Sequence, residues 1–265
     1  MLPWIAAGTA VAYTGSLVLL EEAWYKENER TSFHWFDDSH EWKQVDKAGH
    51  FWGAFHESRL GVDVLRKAGV PEKQAIWYGG LLGFVLQTPI EYLDGKSPEY
   101  GASATDIVAN AVGSAAVISQ QLAWREIRIM PKYSFHRTRY APLRPNTLGK
   151  GLAEEMLKDY NGHTYWLSVD VAKFLPAESR YPKWLNLAVG YGAEEMVYND
   201  LDANRAIGLT PYRQYYLSVD LNWNAIKTRS KFLKSAFYVL SIIKLPAPTL
   251  ELNRRQGWKT HVLYF

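Results

Sequence analysis

The spacing of apolar residues changes near residue 128, and this change limits the folds that the chain can adopt. Before Arg128 apolar residues recur at helical spacing with many small residues between them, and after it they alternate with polar residues. A helix repeats about every 3.6 residues and a strand every two, so the halves predict different structures. The sequence predicts an α+β protein: a helical region at 1–127, a connector at 128–163, and a strand-rich region at 164–265 with one helix near 230–243.

About four helices are predicted in the first half. Turn and cap signals bound three of them, from Trp42 to Ala68, from Pro71 to Leu93, and from just after Ser103 to about Arg125. Pro89 predicts a kink in the second, and Ser103 with Asp106 predicts a capping box in the third. Pairs of small residues four apart predict close backbone contact between helices: Gly49 and Gly53, Gly79 and Gly83, Ala109 and Gly113.

The uncharged segment from Leu2 to Leu20 has two interpretations. Its length is close to the roughly 20 residues of a membrane-crossing helix, and a cleaved signal peptide has a similar apolar stretch. A signal peptide begins with a basic region, yet no Lys or Arg precedes Lys26. We therefore favour a retained helix that packs against other helices, and a missing export segment upstream stays open.

Alternating segments in the second half predict an antiparallel sheet. Tyr165–Val171 and Tyr215–Leu221 share one pattern, with apolar residues on one face and Ser and Asp on the other. The segment at 184–192 alternates in the same way, and a last strand is predicted at 259–265. A closed outer-membrane barrel is the rival interpretation, because such barrels alternate similarly and often end on an aromatic residue such as Phe265. Too few strands are found for closure, so we favour a sheet or partial barrel packed on the helices.

Charged and polar residues interrupt the apolar helices at three places. Asp46, Lys47 and His50 lie close together in one helix, Glu91 lies in the next, and Asp106 and Asn110 lie one turn apart in the last, all in glycine-rich surroundings. Burying an unpaired charge is costly, so these residues are expected to meet one another. The favoured interpretation is one buried polar network that fixes the packing of the helices.

The same residues also allow two chemical roles. In the first, His50 acts as a base oriented by Asp46, Glu91 and Asp106 act as acids, and Lys47 binds an anion. In the second, the carboxylates and His50 bind a divalent metal ion, although no cofactor is predicted from a motif. The sequence contains no HExxH, Walker or GxSxG motif that would select one of them.

Composition restricts the partners. The net charge of +3 comes from dispersed residues, so no nucleic-acid partner is predicted. The absence of cysteine excludes disulfides and thiolate metal sites within the sequence. The 11 Trp and 17 Tyr are typical of a chain that meets a membrane interface, so membrane lipid is the expected partner, together with other outer-membrane proteins as a further option.

The polar residues carry a family resemblance. Asp46-Lys47-x-x-His50, Glu91 and Asp106-x-x-x-Asn110-x-x-Gly113 resemble the YfiM-like envelope family of unknown function and, more distantly, the VanZ-like membrane proteins. Segments of the second half, such as Tyr165-Trp166-Leu167-Ser168, look like the longer Bacteroidota-type members. This resemblance implies an exported protein of the cell envelope, at the outer membrane or the periplasmic face, and it implies no reaction.

Two functions follow from these observations. The favoured one is a noncatalytic component of the Gram-negative outer envelope, associated with the membrane or with a larger membrane assembly. The alternative is an enzyme or binding protein for a lipid, glycan or peptidoglycan-derived ligand that acts through Asp46, His50, Glu91 and Asp106.

Overall fold

The computed structural model describes Gly15, residues 30–98 and residues 100–265. The helix predicted from Leu2 to Leu20 lies outside the described residues apart from Gly15. Contacts within the chain define two compact units. Among the described residues, the first unit contains those up to Ser39 and His50–Glu126, and the second contains His40–Gly49 and Ile127–Phe265.

The first unit is built from helices. In chain order they are α1 at Val45–Lys67, whose residues up to Gly49 are counted with the second unit, α2 at Glu72–Gln74, α3 at Leu82–Asp94 and α4 at Ala104–Trp124. A π-helical turn at Ala75–Gly79 and a non-helical Leu81 divide the single helix predicted from Pro71 to Leu93. Helix α3 continues through Pro89, so the interruption lies upstream of the predicted kink.

Glycines allow these helices to approach closely. A Cβ atom on Gly83 of α3 would lie 1.9 Å from the carbonyl oxygen of Ala54 in α1. A Cβ atom on Gly113 of α4 would lie 2.5 Å from the carbonyl oxygen of Phe51, also in α1. Both distances are too short for any side chain, so only glycine permits this contact. The small residues therefore fix the spacing of α1, α3 and α4.

Two serines satisfy the start of α3, where backbone N–H groups have no partner within the helix. Ser58 Oγ of α1 accepts a hydrogen bond from Gly83 N at 3.0 Å, and Ser114 Oγ of α4 accepts one from Phe84 N at 2.8 Å. The two hydroxyls also bond each other at 2.9 Å. A buried polar seam thus ties the three helices together at the level of one helix end.

The second unit contains a six-stranded antiparallel sheet in the order β1 to β6. Its strands are β1 at Ile129–Phe135, β2 at His163–Val169, β3 at Leu185–Glu194, β4 at Tyr212–Leu221, β5 at Ala247–Asn253 and β6 at Gly257–Tyr264. Each strand pairs with the next along the chain, and within the described residues β1 and β6 do not pair with each other. The predicted α+β class with an unclosed antiparallel sheet is confirmed.

Short helices connect the strands. They are α5 at Pro145–Leu148, α6 at Leu152–Lys158, α7 at Leu201–Ala206 and α8 at Lys231–Leu240. Helix α8 lies where a helix near 230–243 is predicted. Strand β1 occupies the start of the predicted connector. Its outer edge forms backbone hydrogen bonds with residues that follow α8, and Tyr133 N donates to Ile242 O. This edge is therefore partly covered.

Candidate functional site

The polar residues of the helical unit meet at one point. His50 of α1, Glu91 of α3 and Asp106 of α4 face one another, with His50 Nε2 at 3.8 Å from Glu91 Oε1 and at 3.8 Å from Asp106 Oδ2. One donor atom from each of the three lies within 4.8 Å of the other two. The glycine contacts of α1 with α3 and α4 hold the three backbones that carry them. The structure thus brings together residues from three separate helices.

Asn110 fixes the imidazole of His50. Its Oδ1 atom lies 3.2 Å from His50 Nδ1. An amide oxygen only accepts hydrogen bonds, so Nδ1 carries the proton and donates it to Asn110. In the neutral ring, Nε2 then presents a lone pair to the two carboxylates. Asn110 is fully buried, so this contact is held inside the helical unit.

Glu91 is buried, and its two oxygens have different surroundings. Oε2 accepts a hydrogen bond from the backbone N–H of Ser103 at 3.0 Å. Oε1 is buried without a hydrogen-bond partner among the described residues. Burial raises the pKa of Glu91 to about 7, an effect that the positive charge of a protonated His50 opposes. One oxygen of a buried carboxylate is therefore directed at the cluster with no hydrogen bond to satisfy it.

The hydrogen bonds at the start of α4 differ from those of the predicted capping box. Ser103 Oγ accepts from Asp106 N at 3.1 Å, as a capping serine does. The reciprocal bond to Ser103 N comes from Glu91 rather than from the Asp106 side chain. The Asp106 carboxylate faces His50 instead. Asp38 adds further contacts at this helix end by accepting from the hydroxyls of Ser103 and Thr105 at 2.6 and 3.0 Å.

Asp46 and Lys47 are counted with the second unit. They form an ion pair with each other at 2.9 Å. Of the six residues predicted to share a network, the helical unit brings together His50, Glu91, Asp106 and Asn110. The orienting role predicted for Asp46 stays a prediction, and the described contact to His50 Nδ1 is that of Asn110.

Glu57 is a neighbour of the cluster, and it is not among the residues predicted from the sequence. It lies in α1 two turns after His50, and Gln87 Nε2 of α3 donates to its Oε1 at 3.0 Å. Burial raises the pKa of Glu57 to about 7. The spacing of seven residues from His50, which places both on one helix face, is the signal that could have identified it.

The sheet has its polar side chains on the buried face. On β2, Ser168 is buried while Leu167 is 40% exposed, and on β4, Asp220 is buried while Leu217 is 50% exposed. The same inversion holds on β3, where Asn186 is buried while Leu187 is 45% exposed. In a water-facing sheet the apolar residues would be the covered ones. The predicted alternation is present, but its apolar side is turned outward.

A hydrogen-bonded network lies on the buried face. Lys132 Nζ lies 2.6 Å from Asp220 Oδ2, and Ser168 Oγ donates to the same oxygen at 2.6 Å. Asn186 Nδ2 donates to Ser168 at 3.0 Å. These charges are buried and paired with each other, and they share the inner face with a buried cluster of Trp166, Ala188 and Tyr216. The alternation of residues 215–221 predicts Asp220 on a polar face, but it does not identify Lys132 as the partner of Asp220.

The outward face, by which we mean Leu167, Leu187, Val189, Leu217 and Val219, is continuous across three strands. The strand register pairs Leu167 with Val189 and Val189 with Leu217, and it pairs Leu187 with Val219 in the neighbouring row. All five side chains are between 37% and 51% exposed. Adjacent apolar side chains in two rows form a patch rather than scattered surface residues.

One family model matches part of the chain. Residues 33–121, about a third of the chain, match the model of a family described as "Predicted periplasmic lipoprotein (DUF2279)". The matched segment includes the His50, Glu91 and Asp106 cluster. No curated protein and no solved structure matches the chain. Among the described residues, no helix has both the length and the apolar character needed to cross a membrane.

The match supports an uncharacterised envelope family, and the chain is envelope-associated. The predicted location in the cell envelope, at the outer membrane or the periplasmic face, is confirmed. The finer resemblance to the YfiM-like and VanZ-like proteins stays a prediction.

Proposed function

We propose that this chain is a noncatalytic component of the Gram-negative outer envelope and that the outward face of its sheet contacts membrane lipid. The observation that supports the proposal is the inverted polarity of the sheet. The sheet buries Lys132, Asp220 and Ser168, and it exposes Leu167, Leu187 and Leu217. Its exposed side therefore presents an apolar surface that an apolar partner would cover. In an envelope protein, acyl chains are the most abundant such partner.

Aromatic residues at both ends of the patch agree with a membrane interface. Tyr191 and Tyr215 pair across β3 and β4 at one end, with ring centroids 5.7 Å apart. Trp184, 55% exposed, lies just before β3 at the other end. Strand rise gives roughly 23 Å between Trp184 and Tyr191 along the chain. Tyr and Trp are the side chains that favour the boundary between acyl chains and water.

Membrane flotation tests the proposal with a matched pair of variants. The full chain is mixed with vesicles of phosphatidylethanolamine and phosphatidylglycerol and centrifuged through a density gradient. In the test variant, L187Q/L217Q, two leucines of the outward face that are 45% and 50% exposed become polar. In the control variant, L60Q/L122Q, two helical leucines that are 49% and 51% exposed become polar.

We expect the wild type and L60Q/L122Q to float and L187Q/L217Q to remain largely at the bottom of the gradient. Two half-exposed leucines contribute roughly 1.5–3 kcal/mol on burial, so the partition coefficient should fall about tenfold or more. Circular dichroism checks that both variants are folded. A wild type that does not float, or an equal loss in the control variant, would exclude the outward face as the lipid contact.

A further inference from the structure

We infer that His50, Glu91 and Asp106 bind one divalent transition-metal ion of the Zn²⁺ class. The inference is independent of lipid contact, because the site lies in the helical unit and the outward face lies in the sheet. It begins from geometry: Nε2 of His50, Oε1 of Glu91 and Oδ2 of Asp106 converge, with both carboxylate oxygens 3.8 Å from the imidazole nitrogen.

The spacing is close to that of a coordination sphere. Donor atoms at about 2.0–2.2 Å from Zn²⁺ in a tetrahedral arrangement lie roughly 3.3–3.6 Å from one another. A shift of a few tenths of an ångström therefore brings each carboxylate oxygen to this spacing from His50 Nε2. Each donor comes from a different helix, and the glycine contacts at Gly83 and Gly113 already hold those helices at fixed spacing.

The chemistry of the donors selects the class of ion. One imidazole nitrogen with two carboxylate oxygens suits Zn²⁺, Mn²⁺ or Fe²⁺, whereas Mg²⁺ and Ca²⁺ prefer sites made of oxygen alone. Once both carboxyl groups are deprotonated, they carry with the neutral imidazole a charge of −2, which a divalent cation balances. Three protein ligands leave one position for water, and the side chain of His50 is 19% exposed, so water can reach it.

Each of two donors also has an outer contact of the kind that metal ligands have. Asn110 accepts the Nδ1 proton of His50 and so directs the Nε2 lone pair into the cluster. The backbone N–H of Ser103 holds Glu91 through Oε2 and leaves Oε1 pointing inward. Oε1 has no hydrogen-bond partner among the described residues although Glu91 is only 2% exposed. A metal ion supplies the contact that this buried oxygen requires.

Titration of the metal-free full chain with Zn²⁺ tests the assignment. We expect one Zn²⁺ per chain by calorimetry and by elemental analysis after gel filtration, with Mg²⁺ and Ca²⁺ failing to compete at tenfold excess. E91Q and D106N keep the size of each ligand and remove its charge, and each should weaken Zn²⁺ binding by at least the roughly 10–100-fold that loss of an outer contact causes. E57Q removes a neighbouring buried carboxylate outside the proposed ligand set and should leave the affinity unchanged.

Two further measurements separate binding from folding. Circular dichroism of the metal-free variants reports the fold, and at one Zn²⁺ concentration the unfolding temperature should rise more in the wild type and E57Q than in E91Q or D106N. Co²⁺ in place of Zn²⁺ should give a visible absorption band whose position shifts in D106N. Two results would overturn the inference. One is the absence of stoichiometric Zn²⁺ binding by the folded wild type, and the other is a Zn²⁺ affinity of folded E91Q and D106N equal to that of the wild type.

Discussion

At the scale of single residues, burial determines the role of charged groups in both units. Lys132 and Asp220 are each at most 5% exposed, and they lie on strands where a soluble sheet would place apolar side chains. Their ion pair is supported by Ser168 and by the backbone oxygen of Leu221, which accepts from Lys132 at 3.0 Å. A buried side chain stays charged without a large cost in stability only when it has such a full set of partners.

Removing one member of this pair should be much more harmful than removing both. K132M leaves the Asp220 carboxylate buried without its cation, so we expect the free energy of unfolding to fall by about 3–5 kcal/mol. K132M/D220L removes both charges and should recover most of that loss. Urea unfolding of the wild type, both single variants and the double variant measures the coupling. Additive losses in the double variant would contradict a direct interaction.

His163 makes stability depend on pH. Its ring is buried among Tyr133, Phe135 and Tyr160, and burial lowers its pKa from 6.5 to about 3. Between those values the unfolded chain binds a proton that the folded chain excludes. The contribution to stability is therefore complete above pH 6.5 and is lost progressively as the pH falls towards 3.

Replacing this histidine by an uncharged ring should remove that dependence. H163F has a similar shape, so we expect its free energy of unfolding, relative to the wild type, to be higher at pH 4 than at pH 8. Denaturant unfolding at pH 4, 6 and 8 checks the prediction, with H40Q at an exposed position as control. A difference between H163F and the wild type that is equal at all three pH values would show that His163 is not the group responsible.

Residue by residue, the sequence indicated part of the candidate site. His50, Glu91, Asp106 and Asn110 stand out because polar groups are costly in apolar helices, and the structure brings these four together. The partner of Ser103 N–H could not be predicted in the same way. Glu91 in α3 accepts this hydrogen bond. A contact between helices depends on packing distances, and the local spacing of residues along the chain does not contain them.

At the scale of elements, the helices of the first unit are arranged by glycine contacts. The backbone of α1 touches α3 at Gly83 and α4 at Gly113, so no side chain separates the axes at these points. The polar cluster needs this proximity because His50, Glu91 and Asp106 have short reach. Helix spacing and the geometry of the cluster are therefore one property of the fold.

One added methyl group should disturb that spacing. The Cβ atom of G83A would lie 1.9 Å from the Ala54 carbonyl oxygen, so the helices must move apart. We expect the free energy of unfolding to fall by about 3 kcal/mol, at the upper end of the usual cost of overpacking. A115S adds an atom on the exposed face of α4 and should change it by less than about 0.5 kcal/mol. Equal thermal shifts in the two variants would contradict a close contact at Gly83.

Element boundaries were predictable where local signals set them. Ser103 marks the start of α4, and the alternation at Tyr165 and Tyr215 marks β2 and β4. Strand β1 was missed because Pro131 and Lys132 interrupt its apolar pattern. Pro131 lies on a strand at the edge of the sheet, where a missing N–H is tolerated, and Lys132 is buried only because Asp220 lies opposite on the inner face.

At the scale of the whole molecule, the chain combines two units with different internal chemistry. The helical unit places a small polar cluster among apolar helices, and the sheet of the second unit exposes leucines and valines while it buries Lys132, Asp220 and Ser168. The α+β class was predictable from periodicity alone. The direction in which each strand faces was not, because period two describes two faces without stating which one is covered.

The inverted sheet has a consequence for how the protein is made. Collapse of leucines and valines away from water, which drives most sheets together, would turn these strands inside out. The buried polar network must therefore form while Leu167, Leu187 and Leu217 still face solvent, and two nascent chains that meet at this stage would adhere through those residues. Until a partner covers those residues, folding of this protein therefore competes with aggregation through them.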